Sequence, residues 1–316
     1  MATQTIEALR PIDVPEPTDN GRLPPEAVAR SRATAVFLPF TLIVVIASWF
    51  AYLFFAATAW ARYGAGALVL VPTVGMYLFS WLAFYRHELW HRYFPRLDNW
   101  AWYNFVSYLQ FSNPHVYRAA HPSHHRYVHT PDDIEFFSEN WLTDRRRRKR
   151  QFILEFFFGN AAWELLTFWR LRRAGKVTLK AGLWSLPKRL GIVLALFLLT
   201  DWIEPGAGRY FAALYVITVW LGALMSRHVQ WIEHLGIVSD GSLAERNLLT
   251  RNLSSSTFFG RLFNTLYHDD AKEHVFHHTE PKLNSRGLAG LSLPPGAQTI
   301  TLSEYPRILW QYYRSL

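Results

Sequence analysis

The sequence predicts an all-α integral membrane protein, with about four transmembrane helices in two hairpins under a helical cap. Three observations predict it. Uncharged apolar runs come in two pairs, histidines gather in short boxes just beyond those runs, and the basic residues crowd onto one side of them. The 316 residues are 50% apolar and only 18% charged, below the roughly 25% usual for soluble domains. Aromatics reach 16%, with 14 Trp, a weight that suits aromatic belts at a membrane surface. Cysteine is absent. That excludes disulfides, thiolate zinc sites, iron–sulfur clusters and cysteine nucleophiles, so any metal must use His and carboxylates.

Residues 1–32 are polar and carry Pro11, Pro15, Pro17, Pro24 and Pro25. They predict a disordered N-terminal arm, without the apolar core of a signal peptide. Residues 33–316 form one domain. From Ala33 to Ala61 there are 29 residues without a charge, and Tyr63 to Tyr85 supply 23 more after Arg62. About 20 apolar residues span a bilayer, so these predict a first hairpin with spans near 35–61 and 66–86.

The middle segment, Arg86 to Arg189, is charged, rich in His, Trp and Tyr. Trp100–Phe111 and Gln151–Trp169 are apolar but interrupted by polar residues. Glu155 and Glu164 make the second a poor span, so both are expected as amphipathic helices near the interface. Between them, Arg145-Arg146-Arg147-Arg148-Lys149-Arg150 forms a basic cluster suited to anionic lipid rather than nucleic acid. Leu190–Thr200 and Tyr210–Ser226, turning at Glu204-Pro205-Gly206, predict a second hairpin with spans near 186–203 and 209–227. Residues 227–316 are expected as polar helix and loop. The two hairpin turns hold only Arg62 and Arg209 of the 33 Lys and Arg. The positive-inside rule therefore places everything else, both termini included, in the cytoplasm.

All 13 histidines follow residue 86, on that cytoplasmic side. Residues at i and i+3 or i+4 share a helix face. His87 and His91 can therefore reach one metal. His121, His124 and His125 form an H-x-x-H-H trio, as do His274, His277 and His278, and such a trio can serve two neighbouring metals. With His234 in Trp231-Ile232-Glu233-His234, nine imidazoles are available. One mononuclear site cannot use nine; two metals taking four or five each can. Imidazole suits Zn, Cu, Fe and Ni. His115, His129, His228 and His268 fit structural or surface roles.

These boxes, in this order and beside two hairpins, resemble the membrane fatty acid desaturase/hydroxylase superfamily, the histidine-box di-iron enzymes, over about residues 35–285. His87–His91 resembles the first box, and His121, His124 and His125 the second. Glu233-His234 resembles the isolated ligand after the fourth span. His274, His277 and His278, with Pro281 behind, resemble the third box. Within the superfamily the motifs divide. The second-box spacing is of the desaturase type. The first-box stretch His87-Glu88-Leu89-Trp90-His91-Arg92, together with Trp231–Gly236 and Thr130-Pro131-Asp132-Asp133, is similar to alkane hydroxylase motifs.

The resemblance implies that the nine histidines hold two iron ions in a cytoplasmic cap, with O₂ as co-substrate. It implies an oxidoreductase acting on C–H bonds of a long-chain membrane lipid or hydrocarbon. A fatty acid desaturase is favoured; an alkane or fatty acyl hydroxylase (a monooxygenase) and a carotenoid-modifying enzyme are the alternatives. No catalytic residue is expected apart from the metal site. Reducing O₂ to water needs two electrons beyond the substrate's own. The sequence shows no dinucleotide fingerprint, so a separate donor of ferredoxin, rubredoxin or cytochrome b5 type is expected. Carboxylates near the boxes (Glu88, Asp132, Asp133, Glu233, Asp269, Asp270, Glu273) are candidates to hold the outer nitrogens of metal-bound histidines.

A different class also fits one motif. His87-Glu88-Leu89-Trp90-His91 spells H-E-x-x-H, a zinc metalloprotease signature with Glu88 as base. That reading leaves seven ordered histidines without a role. A soluble-type di-iron bundle needs two Glu-x-x-His pairs, and only Glu88 with His91 supplies one.

Overall fold

The computed structural model describes residues 25–64, 74–136, 141–266, 272–288 and 291–316. Within them the chain is mostly helical. Three helices are long and apolar enough to cross a bilayer: α2 (Leu38–Tyr63), α8 (Leu179–Ile203) and α9 (Gly208–His234). The protein is therefore an integral, multi-pass membrane protein.

Helix α2 begins with Pro39 in its first turn, where a missing N–H costs nothing, and stops at Gly64, whose φ of 77° leaves helical space. Leu38, Leu42, Val45, Trp49, Leu53 and Ala57 recur every three or four residues and are buried. They pack on α9 and on α3 (Met76–Trp90). Phe40, Ile43 and Phe55 on the opposite face are exposed, towards lipid. Burying apolar area drives little between helices in lipid, so close packing must hold this trio. Gly222 of α9 supplies it, because a Cβ there would overlap the Phe79 ring. The first part of the expected 66–86 span lies outside the described residues. The described part runs on past residue 86, which puts the first histidine box on the last turn of the same helix.

Between the hairpins, the two apolar stretches are helical as expected. Helix α4 (Asn99–Leu109) is capped by Asp98, whose carboxylate accepts from the amides of Trp100 and Ala101. Helix α5 (Pro114–Tyr127) starts with Asn113 as cap and Pro114 in its first turn. The stretch 151–169 is not one helix. It breaks at Gly159 into α6 (Arg145–Phe158) and α7 (Asn160–Arg173). Gly159 has a φ of 55°, and a Cβ there would collide with the Ala223 backbone. Glu155 explains why the stretch does not span. It is fully buried and accepts from Arg227 Nε of α9 at 2.8 Å.

The second hairpin begins earlier than expected, because α8 starts at Leu179 rather than near 186. Its turn into α9 is closed by Asp201, which accepts from the Gly206 and Gly208 amides. Arg62 at the end of α2 pairs with Glu204 at the end of α8 at 2.6 Å, so these two helix ends meet.

Two further departures concern the ends of the chain. Residues 25–32, assigned by composition to the polar arm, belong to helix α1 (Pro25–Ala35). Beyond α9 lie α10 (Leu243–Leu249), strand β1 (Arg251–Leu253), α11 (Phe258–Leu266), α12 (His274–Thr279), α13 (Ser285–Leu288), strand β2 (Gln298–Ile300) and α14 (Tyr305–Ser315). Helix α1 packs on α13, where the Asn284 side chain donates to the Ser31 carbonyl. The small parallel β1–β2 sheet is the one addition to an otherwise helical chain among the described residues. Arg251 ties it to α9, donating to the carbonyls of Ile232 and Leu235.

Candidate metal centre

Four helix ends converge under the bundle. Helix α3 brings His87 and His91, one turn apart, with ring centroids separated by 4.8 Å. Helix α5 brings His121, His124 and His125 on its last turns. Helix α9 ends at His234, and the short α12 carries His274, His277 and His278. Their nitrogens form two groups. His87, His91, His121 and His277 each offer one nitrogen within 4.8 Å of the others, and so do His124, His234, His274 and His278. His125 sits between the groups. Its Nε2 is 3.1 Å from that of His121, and its ring centroid is 4.6 Å from His277 and 5.0 Å from His278.

Each H-x-x-H-H trio is thus divided between the groups, through helical geometry. His274 and His278, four apart, face one group, whereas His277 turns to the other. His121 and His124, three apart, separate in the same way. Among the described residues, the nine histidines named from sequence are all brought together.

The chemistry of the donors fits metal ions. Nε2 atoms face one another at 3.1 Å (His87 and His277), 3.4 Å (His91 and His121) and 3.0 Å (His234 and His274). Two lone pairs facing at that distance repel unless a proton or cation lies between. A metal about 2.1 Å from each of two imidazoles at a right angle spaces their nitrogens at about 3.0 Å. Burial, helped by neighbouring histidines, holds His91, His121, His125, His274, His277 and His278 well below the usual imidazole range. They stay neutral, as ligation requires. Both ring nitrogens of His278 are buried without a hydrogen-bond partner among the described residues, and a metal would satisfy one of them.

Two outer nitrogens are held by carboxylates, and a third lies near one. His124 Nδ1 donates to Asp133 at 2.9 Å, and His121 Nδ1 to Glu135 at 3.1 Å. His274 Nδ1 lies 3.3 Å from Glu233. Where a carboxylate oxygen accepts from Nδ1, that nitrogen carries the hydrogen and Nε2 is left free for a metal. Burial lowers the basicity of His124, but Asp133 and Glu135 outweigh it and leave the group raised.

Glu135 escaped the sequence reading. It comes into place because the Asp133 carboxylate accepts from the amides of Glu135 and Phe136, curling the loop back under α5. Burial pushes Glu135 up to about 7. The chain behind it is continuous. Glu135 accepts from Gln230 at 2.9 Å, and Arg227 donates to Gln230 Oε1 at 2.8 Å and to Glu155. The signal available was a second acidic residue two positions after Asp133.

The other candidates are placed differently. Asp132 is exposed on the turn, whereas its neighbour Asp133 is buried. Glu88 accepts from Ser285 Oγ at 2.8 Å, and Glu273 is buried beside Lys272. Asp269 and Asp270, with His268, lie outside the described residues. The spare histidines make structural bonds. His129 Nε2 is 3.2 Å from Thr250 Oγ1, and His228 bridges Tyr305 and the Phe156 carbonyl. His115 lies in the first turn of α5, and its amide is held by Asn113. His87 and His91, the histidines of the H-E-x-x-H motif, are surrounded by His121 and His277 rather than standing alone.

Apolar spanning helices that deliver two imidazole clusters to one buried centre define a class: membrane enzymes that bind metal through histidine boxes. A family model narrows the class, since the fatty acid desaturase model matches residues 64–289. The chain belongs to the fatty acid desaturase family and is a non-haem di-iron oxidoreductase. No curated protein and no solved structure matches it.

Proposed function

We propose that this protein desaturates a long acyl chain drawn from the membrane. His87, His91, His121, His124, His125, His234, His274, His277 and His278 would hold two irons. The observation that carries this reading is the division of both H-x-x-H-H trios between two clusters. Iron so held supplies O₂-dependent removal of hydrogen from an unactivated C–H bond.

The chain's own residues do the rest. Asp133 and Glu135 orient the His124 and His121 imidazoles, and Glu233 lies beside His274. A cavity of about 480 Å³ among α3, α4, α5, α7, α8 and α9 is walled by Phe79, Phe168 and Leu183 and would seat the chain. A smaller one of about 100 Å³ reaches His87, His121, His124, His234 and His274. Ala83, Arg86, Tyr117, Asn160 and Ser226 line both, so the two adjoin. Apolar walls keep water from the reacting carbon.

The basic run on α6 supports a cytoplasmic centre with both termini on that side, facing anionic lipid. Removing two hydrogens supplies two of the four electrons that O₂ needs to become water. A separate ferredoxin, rubredoxin or cytochrome b5 type donor supplies the other two.

Mass spectrometry of lipids and hydrocarbons from aerobic cells expressing the protein tests the proposal, with His277→Ala as control. A product lighter by two hydrogens, absent from the control, is expected. A product heavier by one oxygen would replace desaturation with hydroxylation, the reading that Thr130-Pro131-Asp132-Asp133 favours.

A further inference from the structure

The larger cavity is not uniformly apolar. Its opening is: Leu165 and Leu183 are each 60% exposed and Trp169 48%, on the face where α7 meets α8. A hydrocarbon chain sliding in from lipid meets only apolar side chains there. Inside, the wall includes Gln110, the residue that closes α4. Gln110 is 4% exposed. Among the described residues, neither its amide nitrogen nor its amide oxygen has a hydrogen-bond partner.

That is a costly arrangement. A carboxamide carries two donors and an acceptor, and away from water an unmet amide is strongly unfavourable. Neighbouring polar groups do not relieve it. Tyr215 Oη, within reach of the same helix end, donates instead to the Leu109 carbonyl at 2.7 Å. Arg189 donates to the Phe111 carbonyl at 2.9 Å and pairs with Glu164. Glu164 in turn accepts from Ser112 Oγ and from the Asn113 amide. Every polar group around Gln110 that these bonds join is engaged elsewhere. Where the two cavities adjoin, Asn160 Oδ1 is also buried without a hydrogen-bond partner among the described residues.

We propose that Gln110 is a specificity residue that hydrogen-bonds an uncharged oxygen function, a carbonyl or a hydroxyl, on the chain held in this cavity. The inference rests on the cavity being the substrate site proposed above. It deepens that reading by excluding plain hydrocarbon as the preferred substrate. A hydrocarbon fills the same apolar walls but leaves the amide unmet. An ester or amide carbonyl accepts from Nε2; an alcohol can also donate to Oε1. The carboxamide is neutral, so a neutral oxygen group suits it without a counter-charge.

The test uses the full-length, iron-loaded protein in detergent, with three probes of equal chain length: hexadecane, methyl hexadecanoate and hexadecanol. Binding is measured by thermal stabilisation at matched mole fractions in the micelle. Wild type is expected to bind at least one oxygenated probe about ten-fold or more tightly than hexadecane. Which of the two is stronger assigns the carbonyl or the hydroxyl. Gln110→Leu should bind hexadecane at least as well and lose the preference. Without any probe it should melt no lower than wild type, because the substitution removes an unmet amide. A residue with a merely structural bond would instead melt lower.

Equal binding of all three probes to wild type overturns the proposal, as does a preference that survives in Gln110→Leu. A second variant, Ala83→Trp, fills the region where the cavities adjoin. It should abolish binding of every probe while iron content is kept. If it binds them all as wild type does, the cavity is not the substrate site, and the functional reading fails separately from Gln110.

Discussion

Helices α8 and α9 are the two arms of one hairpin and are similar in length and hydropathy, yet they do different work. Of α8's 25 residues only Ser185 and Thr200 are buried, and Leu183, Leu190, Leu194, Leu198 and Trp202 point outwards. Helix α9 buries a face along its length, from Phe211 and Leu214 through Gly222 to Ile232, and ends in polar groups: Arg227, Glu233, His234. Apolar composition brings both into lipid. What separates them is where polar groups are placed, and in lipid a polar side chain is tolerated only against a protein partner. Arg227 is such a case. It is fully buried, bonded to Glu155 and Gln230, and stacked near Phe136 and Trp163.

The contrast can be broken from the α9 side with large effect. His234→Ala should remove one nitrogen from the cluster with His124, His274 and His278, abolishing product formation and lowering bound iron. Elemental analysis beside the lipid assay checks both. If iron stays at the wild-type level, the second cluster is wrongly drawn.

A smaller effect is expected higher up the same helix. Arg227→Ala leaves the buried Glu155 without its guanidinium partner and with Gln151 as its remaining hydrogen-bond donor among the described residues, at a cost of about 3–5 kcal/mol. The double variant Arg227→Met with Glu155→Leu should recover most of that loss, since a packed apolar pair replaces the ions. Thermal unfolding of the three proteins in detergent measures it. A double variant no more stable than Arg227→Ala would show that the pair acts through something other than its charges.

The smallest effects compare the two arms directly. Gly222→Val pushes a side chain into the Phe79 ring and should cost about 1–3 kcal/mol by overpacking. Leu194→Ala on the outer face of α8 should stay within about 0.5 kcal/mol. Equal losses would mean that α8 is covered by protein rather than lipid.

The comparison also marks how far sequence reading reaches. The nine histidines were legible because helical period puts i, i+3 and i+4 on neighbouring faces, a purely local rule. The apolar runs of α2 and α9 were legible from length. The start of α8 was not, because Lys180, Lys188 and Arg189 interrupt the run while Arg189 is bonded inward to Glu164 and Phe111. The break at Gly159 was hidden because its cause is the Ala223 backbone, far along the chain. Of two adjacent acids, Asp132 and Asp133, only the second turns inward, and Glu135 joins it through a turn whose bonds no spacing announces.

The sequence by itself determined a membrane-embedded, histidine-box metal protein. Hydropathy over a bilayer's thickness and the helical spacing of imidazoles are local properties, and neighbours in the chain suffice to read them. Tertiary structure alone decided how eight of the nine imidazoles divide between two clusters, with His125 between them, and which carboxylates lie beside them. It also decided that Gln110 lines the apolar cavity. Those outcomes depend on helix ends brought together from residues 87 to 278, and burial is a property of the packed whole rather than of any stretch of chain.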